Sequence, residues 1–374
     1  VGYFQRTIHR GRRMSTARTY LRTLGLRPNL VVRTEALATC LLFEGEGDAL
    51  RACGVRYSHA RHGGQAQVHA RREVIVCAGA IGTPKLLMLS GLGPAGSLRA
   101  LGIDVVRDLP GVGAHLKDHF SVRVVARVRR GSVSTINELA RVPRLWGQAW
   151  RWLIGRPSIL ALSPYLVHFF WHSGVGDDGR PDLQGVFTPA SYREGYVGRL
   201  DTYPGMTCGV WAHRPRSEGW VRLRSADPRV DPEIQPNYLD DEADVRTLLA
   251  GVRLARRLLR TSALAPYLDD EAMPGPAVDG DDALLAYIRR YGVSSYHLCG
   301  TARMGPRGDA GAVVDPWLRV HGVGGLRVAD SSVMPAIPSA NICAATMMIG
   351  ERAADFIRRG AAASPAILTE ETSP

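Results

Sequence analysis

Short apolar runs separated by turn residues dominate the first quarter of the chain. They predict strands at Asn29–Val32, Ala36–Phe43 and Gly54–Tyr57, a weakly alternating strand at Gln65–Arg71, and a short apolar one at Glu73–Cys77. Gly82-Thr83-Pro84 then predicts a helix over Pro84–Leu89, with Thr83 as cap, Pro84 in the first position, and Gly91 and Gly93 as the stop. Further strands are predicted at Ile103–Val106, Phe120–Val128 and Gly219–Leu223. Residues 131–160 read as mixed helix and loop, and 179–220 are rich in Gly, Pro and aromatic residues. The strongest periodicity lies at Glu242–Leu259. There Leu248, Leu249, Val252, Ala255, Leu258 and Leu259 form one stripe, with Arg246, Arg253 and Arg257 on the water side. A shorter helix is predicted over Asp282–Arg290, ending at Gly292. Near the end come a strand at Leu326–Ala329, Asp330, a loop with Pro335 and Pro338, and a long apolar helix over Ala340–Ile357. The tail from Ala361 reads as frayed.

Two places combine a strand, small or acidic residues and a helix, namely Glu73–Leu89 and Leu326–Ile357. In the first, Ala78-Gly79-Ala80 permits close backbone approach, and a helix start offers N–H groups to an anion. Small residues at such a junction also serve ordinary tight packing, so this signal alone decides nothing. The second suits a cofactor crevice at the end of a strand. No GxGxxG follows a first strand anywhere in the chain.

The 374 residues, 45% apolar and 22% charged, suffice for one large or two smaller packed domains and exclude a wholly disordered chain. The net charge of +12 is carried almost entirely by arginine. The arginines run from Arg6 to Arg359 with acidic residues among them, as on a solvated surface; no nucleic-acid-binding module or concentrated basic face is recognisable, so a nucleic-acid partner is not expected. The six cysteines form no short metal-ligand spacing, no metal is expected, and Cys77 reads as a small core residue. A reducing compartment fits, and no charged-then-apolar leader opens the chain. The run Ser158–Trp171 is too short and too interrupted for a membrane span. The expected location is cytoplasmic, with peripheral attachment to a membrane left open.

The segment from Cys77 to Pro94, Cys-Ala-Gly-Ala-Ile-Gly-Thr-Pro-Lys-Leu-Leu-Met-Leu-Ser-Gly-Leu-Gly-Pro, is long and specific. It resembles the second signature of the glucose–methanol–choline (GMC) family of flavin oxidoreductases. Other family-like stretches follow in the family's order: Gly11-Arg-Arg, Leu109 to His119, Leu223 to Pro228, Asn237-Tyr-Leu, Tyr296 to Gly305, and Leu326 through Ala354. The resemblance implies an α/β flavin-binding domain, incomplete here, and an α+β substrate domain with an antiparallel sheet. Residues 21–95 and 322–360 would form the flavin part, 96–321 with 1–20 the substrate part, and 361–374 a flexible tail. Relatives normally open on a βαβ unit with the GxGxxG fingerprint. The chain resembles their C-terminal two-thirds, so the residues given are expected to hold FAD weakly by themselves. A truncated fragment, or one half of a split protein with a separate N-terminal FAD-binding piece, is one alternative; a lyase of the same fold that keeps FAD is another.

The resemblance implies an FAD-dependent, choline-dehydrogenase-like oxidoreductase acting on the CH–OH group of a small-molecule alcohol, with an unknown electron acceptor. It places His297 as base and Asn341, six residues after Pro335, as hydrogen-bond partner of the substrate oxygen. The residue chemistry agrees: histidine titrates near neutrality, and an amide donates without competing as a base. Asn341 could also cap the following helix. For cofactor binding the resemblance implies Asp330 as a flavin-ribityl or pyrophosphate-side contact, although it also reads as a plain turn former, Ala38 and Ala80 near the adenine side, and Asn341 and Ile342 at the helix entry beside the flavin. His115 and His119 read as structural or loop residues. Three departures from the common pattern stand out: Leu298 where relatives have Pro, Ala302 where they have Cys, and Ile342-Cys343-Ala344-Ala345 where they read Thr-Asn-Ala-Pro. No named substrate is assigned on this pattern, which looks more like a bacterial dehydrogenase branch.

Overall fold

The computed structural model describes residues 1–359 except 24, 26, 60–63, 164, 177–178 and 194–197. The predicted tail from Ala361 lies outside them. In chain order the elements used below are β1 (Ala36–Glu44), β2 (Arg51–His59), β3 (Gln65–His69), β4 (Val74–Val76), α1 (Gly79–Leu89), β5 (Phe120–Val128), α2 (Arg144–Leu153), β6 (Val167–Trp171), β7 (Leu183–Thr188), β8 (Gly205–Ala212), α3 (Glu242–Leu259), β9 (Leu268–Met273), α4 (Asp281–Tyr291), β10 (Leu326–Val328) and α5 (Cys343–Arg359). They form two units. One comprises 1–33, 118–217 and 238–296; the other comprises 34–117, 218–237 and 297–374. Residues 96–117 and 297–321, placed by the sequence in the substrate part, thus fall in the second unit.

The first unit is α+β. Its antiparallel sheet runs Gly2–Tyr3, β6, β7, β8, β5, β9, and Val293–Ser294 also pairs with β5. Alternation decides which side of β5 is core: Val122, Val124, Ala126 and Val128 are buried together with the inward stripe of α3. Helix α3 is capped by Asp241, whose carboxylate accepts the Ala243 N–H at 2.8 Å. Gly251, in mid-helix, permits the close packing on the sheet, since a Cβ there would stand 2.7 Å from Leu183 Cδ1. The half-buried Arg256 and the buried Glu271 lock α3 to β9 through bonds of 2.8 and 2.9 Å.

The second unit is α/β. β1, β2 and β3 form an antiparallel sheet, and β4 and β10 a parallel pair with Val74 opposite Leu326 and Val76 opposite Val328. Both parallel strands release their chains at the same edge, where a crevice is expected in such sheets. Arg327, 2% exposed in the middle of β10, is neutralised by Glu73 at 2.7 and 3.1 Å. The hydrogen bond from Arg327 outweighs burial and holds the Glu73 carboxyl below its ordinary value. Glu73→Ala strands a buried guanidinium and should lower stability by about 3 kcal/mol at neutral pH. A depressed folded pKa stabilises above the unfolded value and loses that contribution as pH falls through the folded one. The wild-type advantage should therefore shrink in acid; melting curves of both proteins in neutral and acidic buffer check this.

Several expected elements differ. Asn29–Val32 forms no strand; Leu30, Val31 and Val32 are exposed and sit in no sheet. Ile103–Val106 yields only Arg107–Asp108, paired with Leu92–Gly93, because Gly91 O holds the N–H groups of Val106 and Arg107. Cys77, expected in the core, is exposed at the end of β4. Helix α1 starts five residues early, at Gly79, with Pro84 inside it. The carbonyl that Pro84 leaves without its helical N–H is that of Ala80. The buried Thr301 hydroxyl supplies the missing bond, donating to Ala80 O at 2.7 Å.

Candidate active site

The site lies in the second unit and is built on the turn that follows β10. Asp330, two residues past the strand, caps the short turn Ser331–Val333 by accepting the Ser332 N–H at 2.8 Å. Its other carboxylate oxygen accepts the Gly79 N–H at 2.9 Å and the Thr83 hydroxyl at 2.6 Å. Asp330 is 5% exposed, so one carboxylate ties the C-terminal ends of β4 and β10 together. At the start of α1, Asp330 thus takes one of the first-turn N–H groups, that of Gly79. Thr83 is a partner of this carboxylate rather than the helix cap.

The segment carrying His297 is clamped to the same turn. Gly300, Ala302 and Met304 donate their N–H groups to the carbonyls of Ser331, Ser332 and Val333 at 3.2, 2.8 and 2.8 Å. The Ser331 hydroxyl donates to Leu298 O at 3.0 Å. On its other side Cys299 exchanges two backbone bonds with Lys117, each 3.0 Å, and Gly113 donates to Thr301 O at 2.8 Å. Gly300 is required there: its φ is +89°, and a Cβ would stand 2.4 Å from His115 O.

This clamp brings His297 to Asn341. The Asn341 amide nitrogen lies 3.1 Å from His297 Nε2. An amide N–H2 can only donate, so the imidazole nitrogen facing it carries its lone pair. Asn341 is exposed, and it stands one residue before Ile342, whose carbonyl accepts the Thr346 N–H at 2.9 Å in the first turn of α5. The predicted helix over Ala340–Ile357 therefore begins at Cys343 and extends to Arg359. Ile342 is 9% exposed; Cys343 and Ala344 are exposed.

The remaining expected positions spread out. Ala80 is buried with its carbonyl taken by Thr301. Ala38 is exposed on β1 opposite Tyr57, where its strand partner is β2 and not the turn after β10. His115 Nδ1 pairs with Glu218 at 2.5 Å, and the fully buried His119 holds His213 O at 3.0 Å through Nε2, in keeping with structural roles. The spacing GxGxxG does occur at Gly91, Gly93 and Gly96, but after α1 and not after a strand. Gly91, at φ +80°, closes that helix end against Asp104 O, where a Cβ would fall at 2.4 Å. Burial pushes the Cys208 thiol up to about 12, which removes it as a nucleophile. Among the described residues no His, Cys, Asp and Glu group could hold a metal ion. Thr301, Gly300 and Ser331 position the site and were passed over in the sequence, although two of them lie in the Gly-Thr-Ala-Arg-Met-Gly stretch.

Two family models described as GMC oxidoreductase match this chain, at residues 1–121 and 215–350. The alcohol dehydrogenase (acceptor) of Pseudomonas putida is 37% identical over 359 residues, covering 96% of this chain and 63% of that protein. The mitochondrial choline dehydrogenase of Homo sapiens is 39% identical over 361 residues, covering 96% and 58%. Among solved structures, the formate oxidase of Aspergillus oryzae superposes with a TM-score of 0.84 at 27% identity, covering 94% of this chain and 64% of that one. A fungal aryl-alcohol oxidase does so at 0.80 and 26%, covering 95% and 65%. The chain belongs to the GMC oxidoreductase family. The fold is of the flavin-binding plus substrate-domain type, with the antiparallel sheet. The chain spans about six tenths of the length of the curated relatives it matches. The comparisons give no support to a separate front-end chain.

Proposed function

We propose that the protein is an FAD-dependent oxidoreductase that converts the CH–OH group of a small alcohol to a carbonyl. The carrying observation is the 3.1 Å approach of the Asn341 amide to His297 Nε2. It presents a base and a hydrogen-bond donor side by side at one exposed point.

The residues fit the ring end of a flavin. The start of α5 leaves Cys343 and Ala344 exposed, with first-turn N–H groups and the positive end of the helix dipole beside the His297–Asn341 pair. Asn341 and Ile342 would hold that end. Asp330 would serve by fixing the turn, since both its oxygens already accept hydrogen bonds; Ala80 and Ala38 would offer at most backbone on the adenine side. When bound, FAD supplies the acceptor for the hydride that leaves the carbinol carbon.

The chain's own part is proton and charge management. His297 Nε2 takes the hydroxyl proton, and its lone pair is free for this once the substrate oxygen replaces it as the target of the Asn341 amide. Asn341 then donates to the developing alkoxide, an interaction stronger in the transition state than before it. The balance closes: one proton goes to the imidazole, one hydride leaves carbon, and a C=O bond forms. The test is turnover of a panel of primary alcohols with FAD and an artificial electron-accepting dye, reading dye reduction and carbonyl product together. Equal amounts of both support the reading; FAD-loaded protein that reduces dye with none of the alcohols counts against it.

A further inference from the structure

Helix α2 in the first unit carries its apolar stripe on the wrong side for a core helix. Trp146 and Trp150, one turn apart, are 70% and 65% exposed, and Leu153 and Ile154 continue the row at 69% and 48%. Val142, one turn earlier, is 70% exposed. The opposite face fastens the helix to the molecule. Trp152 Nε1 donates to Gly11 O at 2.7 Å, Ser158 Oγ donates to Gln148 O at 2.8 Å, and the Gln148 side-chain oxygen accepts the Ile159 N–H at 3.1 Å. The outward stripe is thus held in place by a polar inner face. It is too large and contiguous for scattered surface hydrophobics.

The helix and its flanks carry charge of one sign. Residues 139–163 contain four arginines, Arg141, Arg144, Arg151 and Arg156, and no carboxylate or lysine. All four are exposed. Among the described residues only Arg144 of the four has an ion-pair partner, Glu138 at 3.8 Å. Arg12 adds a further cation, over the Trp152 ring at 5.7 Å.

We propose that α2 is a membrane-docking element that lies in the plane of an anionic lipid surface, with its tryptophans in the headgroup region and its arginines on lipid phosphates. Three arguments select this occupant. Tryptophan and arginine are the side chains suited to a boundary that is apolar on one side and charged on the other. A helix of ten residues is far too short to span a bilayer but suffices to lie on one, and among the described residues no helix is long and apolar enough to cross. A second copy of the same face would set four arginines against four arginines, whereas anionic lipid complements them.

The test is co-sedimentation of the full chain with vesicles of phosphatidylcholine, with and without phosphatidylglycerol. The wild-type chain should bind the anionic vesicles on the order of 10²-fold more strongly than the neutral ones, and lose that preference in high salt. Trp146→Ser with Trp150→Ser should cut binding about tenfold or more, Arg144→Gln with Arg151→Gln should cut the anionic preference, and Trp146→Phe should retain most of it. Because the replaced side chains are exposed, circular dichroism and melting should match the wild type, which separates docking from folding. Equal binding by the Trp variant, or no binding to either vesicle, overturns the proposal. So does a Trp-dependent dimer on gel filtration without vesicle binding, which would make the stripe a contact between copies.

Discussion

His297→Ala slows substrate-driven flavin reduction by about 10²- to 10⁴-fold, the usual worth of a positioned general base. The folded state should barely notice. His297 is partly exposed, and the clamp that holds its segment runs through the backbones of Cys299, Gly300, Ala302 and Met304 and not through the imidazole. Melting temperature and flavin content should stay near wild type while the anaerobic reduction rate falls. Unchanged reduction would move the base elsewhere, and a loss of folded protein would mean that the ring itself holds the loop.

Asn341 separates hydrogen bonding to substrate from helix capping. As a cap, it would tolerate aspartate or serine with little loss. As a donor to an oxygen gaining negative charge, it would not, because an ionised aspartate in its place has nothing to donate and adds repulsion. The account therefore predicts that Asn341→Asp folds and holds flavin but reduces it far more slowly, a barrier increase of about 3–4 kcal/mol by comparison with oxyanion sites. Asn341→His, which can donate, should keep more of the rate. The geometry motivates this order: the first helical carbonyl is that of Ile342, one residue later, while the Asn341 amide is directed at His297. An active Asp variant beside an inactive His variant, both with flavin, would make the helix start the dominant role.

Where local rules act alone, the sequence predicts the fold closely. Phe120–Val128 reads as a strand and forms one with those limits; the apolar stripe of Glu242–Leu259 predicts a helix over the residues that form it. Where a distant side chain intervenes, local rules fail. Thr83-Pro84 resembles a helix start, yet α1 begins at Gly79 because Thr301, more than 200 positions away, bonds the carbonyl that Pro84 cannot serve. Asp330 looks like a turn former or a cofactor contact, and nothing local reveals that its carboxylate joins Gly79 and Thr83. The site follows the same division. The family resemblance points to His297 and Asn341 as base and donor and residue chemistry merely agrees; they are 44 positions apart, and the turn at Ser331–Val333 that clamps the first segment and leads on to the second is tertiary.

The central claim is that the His297–Asn341 pair serves removal of a hydride from an alcohol carbon. It is tested most directly by mixing the FAD-loaded gene product with alcohol in the absence of oxygen and any other acceptor. The account predicts that the oxidised-flavin absorbance disappears in step with one carbonyl product per flavin, and that deuterium on the carbinol carbon slows this step. If product forms while the flavin stays oxidised throughout, the reaction is a cleavage without net redox, and the account is wrong.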